Sequence, residues 1–322
     1  MDLVHSEKVI SGEIILAPML GITDASFRTA FETSYGGFDG AISPFVRTLQ
    51  GQRFKESGVR DLVPSLNQSL SVTPQIMSNS SEDFIPLAKI LFDMGYELIN
   101  LNMGCPVPTA AGRARGAGLI VELERVDQFL EDVLSKIPNR LSIKTRVGLR
   151  QEDELLPMLE VFNRYPLDEI IVHPRTAEQK YSGSVNHDML HEVCSRLKHP
   201  VVYSGDIWTE EDFVNVQRRH PSITKWMIGR GALRDPNIVR KIRGQSIRPC
   251  GTEQDFLRHL AELYRAKDFS DHVIMGKLKV FLLHFGIGHD FSKKLVKSLR
   301  KAKDLSQLLD EFESGFNIAY YK

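Results

Sequence analysis

The chain has 322 residues, 42% of them apolar and 25% charged, a composition that excludes disordered and fibrous classes. Its 41 basic and 41 acidic residues cancel, so global charge gives no argument for nucleic-acid binding. Cys105, Cys194 and Cys250 lie far apart with no Cys-x-x-Cys pair, which argues against a disulfide framework or a zinc site and fits a reducing cytoplasm. No apolar run approaches the roughly 20 residues that cross a bilayer. The polar stretch from Met1 to Gly12 has no secretory core.

In chain order, short β-branched runs alternate with longer helical patterns. Strands are expected at Ile14–Ala17, Ala41–Ser43, Val72–Met77, Glu97–Leu101, Leu141–Thr145, Glu169–His173, Val201–Tyr203 and Trp226–Ile228. Between them, helices are expected at Asp24–Tyr35, Glu82–Met94, Val126–Ile137, Glu152–Arg164, Asp188–Leu197 and Glu210–Arg219, with Asp24, Ser81 and Thr209 as cap candidates. Eight strands alternating with helices predict an α/β fold, a (β/α)8 TIM barrel, over residues 1–243. The polar, proline-marked segment Gly244–Pro249 reads as a linker. Beyond it, Glu253–Lys267, Val273–Phe285, Ser292–Lys303 and Leu305–Phe312 predict a C-terminal helical bundle domain over residues 244–322.

In such a barrel the chemistry sits past the C-terminal ends of the strands. Past the fourth strand, Cys105 follows Asn102 and stands beside Pro106 and Pro108. They predict a stiff turn, and Gly112, Gly116 and Gly118 predict a loose flap after it. The first strand leads into Pro18, Met19 and Leu20, an apolar turn able to lie on a flat ring. Gln75, Lys144 and His173 bring an amide, an ammonium and an imidazole to the same end. The loops with Ser204, Gly205 and Asp206 and with Gly229 and Arg230 stand where many barrels bind phosphate. The ordered set describes a site for flavin mononucleotide (FMN), with a cation at the ring. Between Lys293 and Lys303, Lys293, Lys297 and Arg300 belong to a run of bases with no acid among them, spaced to share one helical face that can hold phosphates. His187 and His191, four apart, lack a third ligand, so no metal site is expected.

The segments Ala17–Met19, Leu101–Pro106, Ile143–Gly148, Val172–Gly183, Gly205–Ile207 and Ile228–Gly231 resemble the dihydrouridine synthase family, flavoenzymes that reduce uridine in RNA. The resemblance implies that Cys105 is the proton donor, that Asn102 and Arg175 approach the uracil, and that the ring and phosphate groups named above surround FMN. Hydride then adds at C6 of the base and a proton must reach C5, with NADPH, or NADH, as reductant of the flavin. RNA, tRNA in first place, is the implied partner, for a cytoplasmic monomer. Departures from the family pattern fall at Pro44, Thr109, Pro174 and Ser204. The rival readings are an FMN-dependent reductase of small molecules, similar to dihydroorotate dehydrogenases, and an RNA-binding relative that has lost catalysis. The basic helix speaks against the first.

Overall fold

The structure, a computed structural model, describes residues 12–107, 114–249 and 251–320. Pro108, Thr109, Gly112 and Arg113 of the cysteine loop lie outside the described residues, as do Cys250 and the stretch before Gly12. Strands β1 (Glu13–Leu16), β2 (Gly40–Ile42), β3 (Val46–Leu49), β4 (Arg53–Phe54), β5 (Val72–Thr73), β6 (Gln75–Met77), β7 (Leu98–Met103), β8 (Arg140–Gly148), β9 (Ile170–Thr176), β10 (Val201–Tyr203) and β11 (Lys225–Ile228) form one sheet.

The sheet is the expected barrel, with two of its staves broken by proline. Pro74 has no N–H to give to a ladder, so the third stave splits into β5 and β6, and Pro44 stands in the gap between β2 and β3. The halves still face each other in parallel, Ala41 against Val72 and Val46 against Ile76. Since β1 pairs with both β2 and β11, and the Asn100 N–H donates to the Pro74 carbonyl at 2.8 Å, the ring closes. All eight expected strands are present, and β8 and β9 run on to Gly148 and Thr176. Pro174 interrupts β9 where its register against β8 shifts, so the irregularity absorbs the missing donor.

The sequence reading missed an excursion after Pro44: the antiparallel β3–β4 hairpin, helix α2 (Glu56–Arg60) and the 3-10 turn Pro64–Leu66. Arg28, buried on helix α1 (Ala25–Ser34), anchors it through Asp61 (3.2 Å) and Asn67 (2.6 Å). Helix α3 (Ser81–Asp93) is capped by Ser80, whose Oγ accepts from the Asp83 N–H at 3.3 Å; the expected Ser81 is instead the first helical residue. Helices α4 (Leu123–Leu134), α5 (Leu156–Phe162), α6 (His187–Arg196) and α7 (Glu210–Arg219) follow, then short α8 (Arg230–Arg234) and α9 (Ile238–Ile242). α5 starts later than the pattern suggests because Glu154 turns back to accept from the Leu149 and Arg150 N–H groups.

Strand alternation sorts the core into two parts. Ile14, Leu16, Ile170, Val172 and Tyr203 face the helices, whereas Ile15, Ile42, Ile171, Val202 and Met227 form a separate cluster inside the barrel. Helices α10 (Thr252–Arg265), α11 (Asp271–Gly288), α12 (Lys293–Lys301) and α13 (Leu305–Tyr320) make the C-terminal bundle. Phe256 of α10 packs on Phe27 (5.8 Å between centroids) and Tyr35 (5.6 Å) of the barrel and on Phe281 (5.0 Å) of α11, so one apolar core runs through both parts.

Candidate active site

Above the apolar plug, the inward positions turn polar and form a chain of amides. Asn100 Nδ2 donates to Ser142 Oγ (2.9 Å), Gln75 Nε2 to Asn100 Oδ1 (2.8 Å) and Asn102 Nδ2 to Gln75 Oε1 (2.8 Å). Asn102 Oδ1 then accepts from the N–H groups of Gly104 (3.2 Å) and Cys105 (3.0 Å), an Asx-type turn at the end of β7. The cysteine turn is held from two more sides. Arg146 Nε donates to the Gly104 carbonyl at 2.9 Å, and the Ala117 N–H donates to the Cys105 carbonyl at 3.1 Å. Gly116 sits at φ +55° and so close that a Cβ there would lie 2.9 Å from that carbonyl oxygen. Stiffness at Cys105 therefore rests on Asn102, Arg146 and Gly116. The expected loose flap is corrected in its described part, because Gly116 and Gly118 are buried in a 3-10 turn, Gly116–Leu119. Burial pushes the Cys105 thiol up, against the pull of the Val107 backbone and the Arg146 and Lys144 cations. It stays protonated at neutral pH, as a proton donor requires.

Lys144 lies beside Asn102 across the β7–β8 ladder. Among the described residues no carboxylate pairs with it. Burial, seconded by Arg146, pulls its pKa down to about 7, while Cys105 pulls the other way. His173 is buried and held well below the usual histidine range by burial and by Arg146, Lys144, Arg175 and Arg230, so it is neutral. Two of these cations share one carboxylate, Asp206, which accepts from Arg175 (2.5 Å) and Arg230 (2.8 Å), whereas Arg146 donates to the Gly104, Thr176 and Lys180 carbonyls. A mouth so rich in unbalanced positive charge fits an anionic occupant.

The glycines shape the same end. A Cβ on Gly229 would lie 3.1 Å from Ala17 Cβ and 3.6 Å from Met19 Sδ, so the Ala17–Met19 turn packs directly on the loop that opens α8. A Cβ on Gly205 would lie 2.1 Å from the Tyr203 hydroxyl. The Ala232 N–H donates to the Gly229 carbonyl at 3.0 Å and closes the first turn of α8, which no side chain caps. Buried Ser204 gives its N–H to the Val172 carbonyl at 3.0 Å.

Arg175 makes three contacts that tie loops of this mouth together. It is buried, and it donates to the Gly183 carbonyl (2.6 Å), the Ser182 carbonyl (3.3 Å) and Asp206, tying the loop after β9 to the loop after β10. Asn102 likewise gives its oxygen to the cysteine turn. The sequence reading did not single out Tyr181, whose exposed ring carries the Arg230 guanidinium at 4.3 Å and lies 6.2 Å from His173. His187 meets His220 (3.0 Å between ring nitrogens), not His191.

A cleft of about 920 Å³ opens beside Cys105 between the excursion and the bundle. Leu20, Phe45, Val107 and Phe269 give it apolar surface, and Arg47, Lys55, Arg60 and Lys267 give it charge. Arg47, Lys55 and Arg60 were missed because they lie on the excursion. Farther along the bundle, Lys293, Lys297 and Arg300 of α12 are exposed and, with Phe291, line a groove of about 410 Å³. Among the described residues no carboxylate pairs with them.

A family model described as dihydrouridine synthase matches residues 15–281. The chain belongs to the dihydrouridine synthase family. It is 26% identical over 317 residues to the tRNA-dihydrouridine(16) synthase of Ralstonia nicotianae, covering 93% of this chain and 95% of that one. With the protein of the same name from Haemophilus ducreyi it is 30% identical over 241 residues, covering 71% and 73%. Among solved structures, morphinone reductase in complex with tetrahydroNAD matches with a TM-score of 0.52 and 11% identity over 74% of this chain and 89% of that one. That likeness shows the barrel fold. The family is FMN-dependent, and the cationic mouth, the glycine-shaped loops after β10 and β11 and Lys144, which no carboxylate pairs among the described residues, fit that cofactor.

Proposed function

We propose that this protein reduces a uridine of tRNA to 5,6-dihydrouridine with FMN as cofactor and a nicotinamide dinucleotide, NADPH in first place, as reductant. The names of its relatives favour position 16 as the target. The observation that carries the reading is Cys105, a protonated thiol on a rigid turn at the edge of an open cleft, beside a mouth built for an anion. Gly205, Gly229 and Arg230 would hold the FMN phosphate, and Pro18, Met19, Gln75, Lys144 and His173 the ring. Bound there and reduced, FMN would supply the hydride that C6 of the uracil needs. Cys105 delivers the proton to C5, and Asn102 and Arg146 hold the turn that aims it. The target base has to leave its stack to reach the thiol, and the cleft gives it apolar surface. The exposed cations of α12 hold RNA backbone beyond the cleft. Free thiols at Cys105 and Cys194 support a cytoplasmic setting.

Cys105→Ala tests the reading. The variant is expected to bind FMN and accept electrons from NADPH as the wild type does, while single-turnover uridine reduction falls about 100- to 10,000-fold, the usual yield of general acid catalysis. Unchanged single-turnover reduction would remove Cys105 from the chemistry. A wild-type protein that restores no dihydrouridine to tRNA from a strain lacking it would remove the function.

A further inference from the structure

The turn Ala17–Thr23 is fixed at its root and bare at its tip. Thr23, fully buried, accepts from the Met19 N–H through Oγ1 at 2.8 Å and faces the Ala17 carbonyl at 3.3 Å, so the root is locked from within. Leu20 at the tip is 65% exposed, and Gly21 stands at φ +83° with open space where a Cβ would be. What reaches the tip comes from the bundle. Lys277 of α11 places Nζ 3.3 Å from the Gly21 carbonyl and 2.7 Å from Asp24 Oδ2. Asp24 is a junction: its carboxylate caps α1 through the Phe27 N–H at 3.1 Å and accepts the Tyr264 hydroxyl of α10 at 3.1 Å. The Lys277 ammonium also lies 4.9 Å from the centroid of the Tyr264 ring and 5.8 Å from that of Phe269. Burial and Asp24 raise the Tyr264 hydroxyl far above its ordinary pKa, so it remains a donor at any working pH.

Leu20, Gly21, Asp24 and Tyr264 all border the cleft that holds Cys105. The same contacts therefore dock the bundle and set one wall of the site. We infer that Lys277 and Tyr264 are positioning residues for uridine reduction, which hold the Leu20–Gly21 tip at the cleft through Asp24 and the Gly21 carbonyl. This rests on the proposed reaction for its kinetic consequence, but its structural half does not. Lys277 Nζ bridges two acceptors on the turn, and both lose it when the ammonium is removed. Asp24 keeps Tyr264 and the helix cap, so α1 and the bundle stay in place while the tip loses the hydrogen bond that ties it to α11.

The test is Lys277→Met, which keeps the stem and removes the charge, beside Tyr264→Phe and the conservative Lys277→Arg. In the FMN-loaded protein, amide exchange of the Ile22 and Thr23 N–H groups is expected to rise at least tenfold in Lys277→Met, with exchange along α11 unchanged, and to return toward wild type in Lys277→Arg. Single-turnover uridine reduction at saturating RNA should fall several-fold while RNA affinity holds. Faster exchange along the whole bundle with none specific to the turn would mean that Lys277 only stabilises the bundle and would overturn the inference. Weaker RNA binding with unchanged turn exchange would make Lys277 an RNA contact and overturn it equally. Altered turn exchange in a protein that reduces no uridine would leave the positioning intact and sink the function.

Discussion

At the scale of single residues, charge without a partner decides most of what this site can do. Lys144 has no carboxylate among the described residues, and burial with Arg146 beside it brings its pKa to about 7. A ring carbonyl that accepts from the ammonium raises that value, so binding and protonation reinforce each other. FMN affinity of the apoprotein is therefore expected to be strongest below pH 7, where Lys144 is already charged. It should weaken as pH rises through 7 toward the pKa of the bound state. Lys144→Met should bind FMN more weakly and flatten that dependence, which titration of the apoprotein between pH 6 and 9 would read. The sign follows from the free state having the lower pKa; a wild-type affinity that increased with pH would mean that Lys144 does not face the ring. Cys105 obeys the opposite preference, since burial keeps it a thiol and its task is to lose a proton only to substrate.

At the scale of elements, the strands were legible because each barrel strand is a short β-branched run between turn residues, and Cys105 was legible because it follows one of them. The β3–β4 hairpin was not. Its residues Arg47, Gln50, Gln52 and Arg53 break any alternation, and it is held by Arg28–Asp61, a pair 33 residues apart in sequence. The loop tie made by Arg175 was hidden for a related reason: its partner Asp206 lies 31 residues on, and only the fold brings the two together. Asn102 was read toward substrate, and strand alternation also places it in a ladder of amides that no spacing rule reveals. The bundle was found by helical periodicity, but not its seat on the barrel. Phe256 wedges between Phe27, Tyr35 and Phe281. Replacing it with alanine empties a joint in a shared core and should cost about 3–5 kcal/mol. Because that core is continuous, wild type and Phe256→Ala should each unfold in one transition, coincident by near- and far-ultraviolet circular dichroism, the mutant at lower denaturant. Two separated transitions in the wild type would make the bundle an independent unit.

At the scale of the whole molecule, zero net charge conceals an uneven distribution. Arg47, Lys55 and Arg60 stand on one wall of the cleft, and its carboxylates Asp24 and Asp61 are already engaged by Lys277 and Arg28. The α12 face carries a second set of cations, which no carboxylate pairs among the described residues. Each phosphate such a group neutralises releases counterions, so RNA affinity should fall steeply with salt. Neutralising Lys293 and Lys297 to glutamine should lower the log–log salt slope by about 1.5 if both touch phosphate, with little change in turnover at saturating RNA. Neutralising Arg47 and Lys55 should lower the slope by a similar amount and, in addition, slow turnover at saturation. Those two border the cleft at Cys105, where binding energy is spent on drawing the base out of its stack and holding it at the thiol. A salt titration of binding paired with single-turnover rates separates the two sets. If both double mutants kept the wild-type slope, neither surface would hold RNA, and if both slowed turnover equally at saturation, the distinction between a gripping surface and a positioning cleft would fall.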